Sequence, residues 1–417
     1  MSMTDHQLQE LNQLLRLLRA SNPFYQQRLA EAGVKDDLLS LDAFYNKVPL
    51  TTKAEILADR KAHLPYGSNL TMPLAAYNRY CQTSATSGGE PIIWLDTEEG
   101  WSWMLDNWQM VYDASGVTGD DRIFFAFSFG PFLGFWTAFE AAHKLGCLCI
   151  PGGAMSTRMR LDVMLRNKAT VLCCTPTYAL RLTEVAREEG ILLNNLSVQK
   201  IIVAGEPGGS SEAFRAKLQH RWPEVEVMDH YGMTEVGPVG VHYDDEEQAC
   251  LRLLDDRYIV EVIDKESGQH VANGQEGELV LTPLGRTASP VLRYKTGDYV
   301  KLLRKDNMTL LPGGVLGRVD DMVIVRGVNL YPQAVDDVVH SIEGIAEYRV
   351  LVTKSNEMVE LEIEIEVMHG FDAKALAILL QEAMEQAFSL RIPVKLHEGE
   401  SWPRFEMKAK RWLFNMD

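Results

Sequence analysis

Between Arg122 and Glu206 short apolar runs alternate with longer amphipathic ones, a pattern that few folds can accommodate. The apolar runs are RIFFAF (122–127), CLCI (147–150), TVLCC (170–174) and KIIVAGE (200–206). Between them lie GFWTAFEAAHKLG (134–146), TRMRLDVMLRNK (157–168) and PTYALRLTEVAREEG (176–190), which read as helices. Apolar strands alternating with amphipathic helices imply a parallel sheet covered on both faces. Ligands of such sheets sit beyond the carboxyl ends of the strands, so the loops after FFAF, CCTP and IVAGE are expected to face a binding site.

The rest of the chain has a different texture on either side. The first 80 residues read as helical, with a threonine-to-glutamate capping pattern in TTKAEI (51–56). From 257 the sequence turns β-rich, with RYIVEVID and GELVLTPL separated by turn glycines. After GRVDD (317–321) the strand MVIVRG, the helix PQAVDDVVHSIE, the strands EYRVLVTK and VELEIEIEV, the helix DAKALAILLQEAMEQAFS and the strand IPVKLHE follow. That β-α-β-β-α-β order suits a small α+β unit. The expected fold class is α/β. Residues 1–318 form a large lobe with parallel-rich, helix-covered sheets and a β-rich subdomain. Residues 319–417 form a small mobile α+β lobe.

Composition narrows the function. At 417 residues the chain exceeds the roughly 100–200 of one domain, in keeping with two lobes. A net charge of −17 argues against a nucleic-acid partner or an anionic membrane, though a local basic pocket for an anion is still allowed. The greasiest stretch, IFFAFSFGPFLGFW (123–136), is too short to span a bilayer and is broken by glycine and proline. The N-terminal helix carries acids and lacks the pattern of a signal peptide, so the protein is read as cytoplasmic. Cys147, Cys149, Cys173 and Cys174 lie in apolar runs, where cysteine acts as a small hydrophobe; no CxxC pair exists. His242 and Cys250 make at most half of a zinc site, at no recognised spacing.

Five segments carry chemistry. QTSATSGGEP (82–91) crowds hydroxyls and glycine amides into a loop able to wrap an anion, although a surface turn has the same composition. DHYGMTEVGPVG (229–240) offers an aromatic face at Tyr231, a hydroxyl at Thr234 and a carboxylate at Glu235 that can hold Mg²⁺; a helix cap is its plainer reading. In LRYKTGDYV (292–300), Asp298 can accept from both hydroxyls of a ribose, or simply close a turn. GRVDDMVIVRGVNLYP (317–332) holds Arg318, paired aspartates and Arg326, and SWPRFEMKAKRW (401–412) holds Lys408, which alone reads as a solvated charge.

In this order and spacing the five segments resemble the acyl-adenylate-forming (AMP-forming) ligase superfamily over nearly the whole chain. NPFYQQRLAEAGV, VPLTTKAEI, CCTPTYA, AGEP, RGVNLYP and PRFEMKAKR are most similar to its phenylacetate–coenzyme A ligase branch. The resemblance implies that Thr83, Ser84, Thr86, Ser87, Gly88 and Gly89 cover the β,γ-phosphates of ATP. Ala204, Gly205, Glu206 and Pro207 would line the adenine, with Asp229, Tyr231 and Gly232 beside it. Thr234 would contact the α-phosphate, Glu235 hold Mg²⁺, and Asp298 with Arg318 hold the ribose. Lys408 would bridge carboxylate and α-phosphate, Asp320 would be the hinge, and Arg326 would face the acceptor thiol. Lys53, Phe127, Phe129, Phe132, Phe135, Ala204, Gly232 and Pro238 would line the acyl pocket. The chain departs from the family in its phosphate loop, where Ala85 replaces a glycine, and at the zinc position, where only His242 and Cys250 stand.

The implied activity is ATP-dependent conversion of a carboxylic acid, aromatic by its pocket, to acyl-AMP and pyrophosphate, then transfer to coenzyme A. Loading of a carrier-protein phosphopantetheine is the alternative acceptor reading. A non-catalytic nucleotide-binding protein on the same fold is the third. The implied partners are the acid, ATP and AMP, and coenzyme A or an acyl carrier protein, with a homodimer as the assembly considered.

Overall fold

Local signals set the first elements. Helices Met3–Ser21, Pro23–Glu31, Leu41–Lys47 and Lys53–Ala62 open the chain. The first and fourth start in full capping boxes, Ser2 with Asp5 and Thr52 with Glu55, which satisfy backbone donors the helix itself leaves free. The first helix buries Leu11, Leu14, Leu15 and Leu18 against Ile259, Leu284 and Leu292, so it clamps onto the β-rich part of the lobe. The computed structural model describes residues 2–83, 91–245, 248–326, 328–355, 358–402 and 411–415.

The core is a nine-stranded sheet. Its order is Leu303–Lys305, Met308–Pro312, Ala249–Leu253, Gly237–Asp244, Glu226–Met233, Lys200–Val203, Val171–Cys174, Arg122–Phe125 and Leu148–Pro151. The last five are parallel, as the strand–helix alternation requires. Their residues divide between two cores with period two. Ile123, Phe125, Val171 and Ile202 face Trp108, Val111, Ala138 and Ala141 of helices Glu98–Ala114 and Leu133–Leu145. Phe124, Leu172, Ile201 and Val203 face Leu161, Leu182 and Leu218 on the opposite helices. Full burial stabilises by about 1.5–3 kcal/mol per large apolar side chain, and both faces gain it.

The other four strands are antiparallel and extend the sheet beyond what the alternation foretells. A second, four-stranded antiparallel sheet comprises Tyr258–Ile263, Glu276–Pro283, Tyr294–Lys301 and Val315–Arg318.

The C-terminal lobe holds helices Pro332–His340 and Ala373–Phe388 against a sheet ordered Val394–Leu396, Met358–Val367, Ile345–Ser355 and Trp412–Asn415. Two details differ from the sequence reading. The MVIVRG strand (Val323–Val325) does not join this sheet; it pairs with Val328–Leu330 in its own hairpin. The end of the basic tail instead adds an edge strand, with Trp412 beside Val350 and packed on the lobe's core. An apolar WLF triplet inside a charged tail is enough for that.

All six cysteines are free, and burial raises the thiol of the wholly buried Cys173 far above its usual range. Among the described residues no helix is long and apolar enough to cross a membrane.

Candidate active site

The site begins at a tight turn. Strands Glu226–Met233 and Gly237–Asp244 pair antiparallel, and Thr234, Glu235 and Val236 join them, with Val236 N donating to Met233 O at 3.3 Å. A Cβ at Gly232 would stand 2.9 Å from the Gly237 carbonyl, so only glycine lets the strands come this close. Gly237 has φ +88°, a left-handed value that glycine adopts without strain. The turn that read as a helix cap is therefore the tip of a hairpin.

Glu235 at that tip is buried, and burial raises its carboxyl above the usual range while the charge of Lys53 pulls it back. Among the described residues the side-chain donor that meets it is distant, the Tyr294 hydroxyl at 3.4 Å. A buried carboxylate so weakly compensated suits a hard cation, and one carboxylate completed by phosphate oxygens is the usual way proteins hold Mg²⁺.

Thr234 is held through its backbone. Its carbonyl accepts from Arg286 at 2.6 Å, and the fully buried Arg286 donates twice to Asp96, at 2.7 and 2.6 Å. Asp96 ends strand Ile93–Asp96, which leaves the Ser/Thr/Gly loop, so one guanidinium ties that loop's strand to the Thr234–Glu235 turn. Sequence reasoning missed Arg286, Asp96 and Tyr294. The available signal was a charge at the end of an apolar run, in IIWLD and in LTPLGR.

Asp298 sits opposite Arg318 in adjacent strands. Arg318 Nη1 donates to Asp298 Oδ1 at 3.0 Å, and the Tyr231 hydroxyl donates to Oδ2 at 2.5 Å. Gly297 has φ +76°, which favours glycine, and a Cβ there would lie 2.5 Å from Arg318 Nη2 and displace the guanidinium. Asp298 and its neighbouring charges raise the Arg318 guanidinium further, so it stays cationic. Arg318 Nε also donates to Asp320 at 3.1 Å, linking the Asp298–Arg318 pair to the first residues after the last strand of that sheet.

Ala204, Gly205, Glu206 and Pro207 follow the carboxyl end of strand Lys200–Val203. Glu206 accepts from Thr177 N at 2.8 Å and Thr177 Oγ1 at 2.5 Å, which pins this loop to the start of helix Pro176–Glu188. Asp229 is buried and accepts from Ser210 Oγ at 2.6 Å; burial raises its carboxyl to about 6. Its side chain is thus engaged by the 209–210 loop.

Of the phosphate-loop residues, Thr83 is described and buried. Its hydroxyl accepts from Ile92 N at 2.9 Å while Thr83 N donates to Ile92 O, closing the base of the loop. Ser84, Thr86, Ser87, Gly88 and Gly89 lie outside the described residues, as does Lys408. Arg326, at φ +50°, is exposed and pairs with Glu360 of its own lobe at 2.5 Å.

The aromatic residues proposed for the acyl pocket form one cluster. Phe127 stacks on Phe135 at 4.4 Å, Phe132 meets Phe135 edge-on at 5.7 Å, and Phe129 lies 6.2 Å from Phe127. Pro238 is buried beside Gly232. Among the described residues no group of three metal-ligating side chains includes His242 and Cys250: His242 contacts Asp244 at 3.1 Å and Cys250 contacts the Gln248 carbonyl.

Residues 97–284 match the model of the AMP-binding enzyme family, and residues 327–414 match that of the AMP-binding enzyme C-terminal domain. The chain belongs to the acyl-adenylate-forming, AMP-binding enzymes. It is similar to the phenylacetate-coenzyme A ligase of Aromatoleum evansii, 28% identical over 97% of this chain and 92% of that one. Its namesake from Escherichia coli K12 is 26% identical, over 97% and 93%. A solved 2-hydroxyisobutyryl-CoA ligase in complex with 2-HIB-AMP, in the postadenylation state, is 26% identical over 98% of this chain and 88% of that one, with a TM-score of 0.91. The same enzyme with CoA in the thioesterification state matches over 98% and 89%, at 0.72.

Proposed function

We propose that this protein is an AMP-forming acid–thiol ligase. It activates a carboxylic acid with ATP to acyl-AMP and pyrophosphate, then passes the acyl group to the thiol of coenzyme A, releasing AMP. The observation that carries this reading is the pre-paired Tyr231–Asp298–Arg318 set beside the buried Glu235, in a chain similar to acid–CoA ligases over almost its whole length.

Attack of a carboxylate on the α-phosphorus brings two anions together, so positive charge has to meet both. Glu235 would hold Mg²⁺, which when bound neutralises phosphate charge. Asp298 and Arg318 grip the ribose, Ala204–Pro207 with Tyr231 hold the base, and Thr234 donates to the α-phosphate. Ser84, Thr86, Ser87, Gly88 and Gly89 close over the β,γ-phosphates, with Thr83 holding the base of the loop. Lys408 supplies the cation between carboxylate and α-phosphate. Lys53 stands near Glu235 on the acid's side, and the Phe127–Phe135 cluster forms an apolar wall suited to an aromatic acid.

We assign residues 1–318 and 319–417 to the two lobes, with Asp320 as hinge. Rotation about it would withdraw Lys408 and bring Arg326 to the thiol. The reduced, buried cysteines fit a cytoplasmic setting.

ATP–pyrophosphate exchange with a panel of organic acids tests the reading. Acid-dependent exchange is expected, followed by acyl-CoA formation by mass spectrometry. Absence of exchange with every acid would overturn it, and acylation of a holo-carrier protein in place of coenzyme A would move the acceptor.

A further inference from the structure

We infer that His397 is a positioning residue for adenylation, its two ring N–H groups clamping the loop from which the segment carrying Lys408 departs. The inference rests on the reading above, in which Lys408 supplies the cation between carboxylate and α-phosphate, and adds what holds that lysine's segment in place.

The anchor begins in the run VELEIEIEV (359–367). Successive side chains of a strand point to opposite faces, so Leu361, Ile363 and Ile365 enter the core of the small lobe and the glutamates between them line the other face. Each glutamate there has a partner. Glu360 accepts from Arg326 at 2.5 Å and Glu362 pairs with Lys395 at 2.8 Å. Glu364 accepts from His397 Nδ1 at 2.8 Å, and Glu366 accepts from Trp402 N at 3.1 Å. His397 and Trp402 bound the loop that follows strand Val394–Leu396.

His397 Nε2 meets a second acceptor, the Glu400 carbonyl, at 2.8 Å. An ionised carboxylate and a carbonyl both only accept, so both ring nitrogens carry protons and the ring is an imidazolium. The bond to Glu364, the bond to Glu400 and the charges of Glu364 and Glu366 raise it above the ordinary 6.5. The loop is wrapped closely around the ring. Trp402 is buried with its ring 4.2 Å from that of His397, and Arg349 of strand Ile345–Ser355 lies 4.5 Å over Trp402. A Cβ at Gly399 would stand 3.0 Å from His397 Cε1 and Nε2, so a glycine lets the turn pass this near.

Lys408 lies six residues after Trp402 and three before Arg411. At the far end Arg411 Nε donates to Glu347 at 2.7 Å, the Arg411 carbonyl accepts from Val350 N at 2.8 Å, and Trp412 opens the edge strand. Residues 402 and 411 are thus both tied to the small lobe. A reacting group tethered at two ends is held at a higher effective concentration than one tethered at one end, and a misplaced tether costs rate. The tether at 411 is a strand with a buried ion pair. The tether at 402 depends on a group that loses its second proton on the alkaline side. The hold that His397 provides is complete below 6.5 and is lost as pH rises through its raised value.

The test uses the full-length protein. Proton–carbon NMR of ring-¹³C-histidine protein, with the His397 resonance assigned by its absence in His397→Ala, should show a ring that titrates above 6.5. His397→Ala should lower single-turnover acyl-AMP formation by about tenfold or more. Thiolation of a supplied acyl-adenylate and the melting temperature should stay near wild type. The ratio of wild-type to His397→Ala adenylation should fall toward one as pH rises through the value NMR gives. His397→Gln, whose amide carries two N–H groups at every pH, should restore part of the rate and make it independent of that titration.

A ring that titrates at or below 6.5 overturns the inference, as does unchanged adenylation in His397→Ala or equal loss of adenylation and thiolation. Those results leave the ligase reading standing, because wild type still turns over. Absence of ATP–pyrophosphate exchange by wild type with every acid removes the ligase reading and this inference with it.

Discussion

The Glu235–Asp298 cleft and the seam between the lobes are built from different materials. In the cleft, the buried Arg286 meets the buried Asp96, and the buried Asp298 meets a half-buried Arg318 and the Tyr231 hydroxyl. At the seam, Ser211 Oγ donates to Asp337 at 2.7 Å, Lys217 touches His340 at 3.3 Å, and Tyr299 stacks on Tyr331 at 4.8 Å. A cavity of about 280 Å³, bordered by Lys217, Arg221, His340 and Arg411, is left between the two surfaces. The desolvated Arg286–Asp96 pair holds one geometry because breaking it strands a charge, whereas half-exposed polar contacts and the exposed ion pairs of Glu343 with His220 and Arg221, around a void, can part at small cost. In the function proposed, a preorganised cleft beside a seam that opens would let one site serve two half-reactions.

The comparison breaks most readily at Arg286. Arg286→Ala strands Asp96 in the core and frees the Thr234 carbonyl, so stability should fall by about 3–5 kcal/mol in urea denaturation. An unchanged midpoint would mean that the pair ties nothing together. Lys408→Ala probes the other side. It should lower adenylation by about 10²–10³-fold while thiolation of a supplied acyl-adenylate and the melting temperature stay near wild type. Equal loss of both half-reactions would remove Lys408 from its assigned role.

Asp229 sharpens the contrast through pH. Its carboxyl stands at about 6 in the fold against an ordinary 3.8, because burial disfavours the charged form. The stability it contributes is present below 3.8 and is lost as pH rises through about 6. Asp229→Asn should therefore be more stable than wild type at pH 7 by about 2–3 kcal/mol. The difference should close as pH falls from 6 toward 4, read from paired denaturation curves.

Much of this was legible in the sequence because it rests on periodicity and local chemistry. The parallel strands follow from apolar runs split between two cores, and the capping box at Thr52 from its own four residues. The pairing of Asp298 with Arg318 came only through the family resemblance, since nothing local says that residues 20 apart share a register. Arg286 and Asp96 left only a charge closing an apolar run, for a related reason. Their contact spans 190 residues, and each alone reads as an ordinary charged residue. The antiparallel extension of the sheet was hidden because its turn, Thr234–Val236, spells a helix cap equally well. The edge strand Trp412–Asn415 was hidden because the neighbouring charges outweigh three apolar residues in any composition window.

The smallest expected effect lies at the seam. Asp337 accepts from Ser211 across the lobes and from Gln333 within its own helix, and burial raises its carboxyl. Replacing it with alanine deletes the interlobe bond while Ser211 keeps capping helix Glu212–Arg221. One such bond is worth about 1 kcal/mol, so the docked arrangement should lose about fivefold in population relative to others. Fluorescence energy transfer between labels on the two lobes would read this as a shift toward separated lobes, with the unfolding midpoint of the large lobe unmoved. If Asp337→Ala instead lowers that midpoint as Arg286→Ala does, the seam is part of the folded core and the two regions differ only in degree. A shift in lobe distance without loss of stability would separate them in kind, because a contact that moves a lobe without unfolding anything is one the fold can afford to break on every turnover.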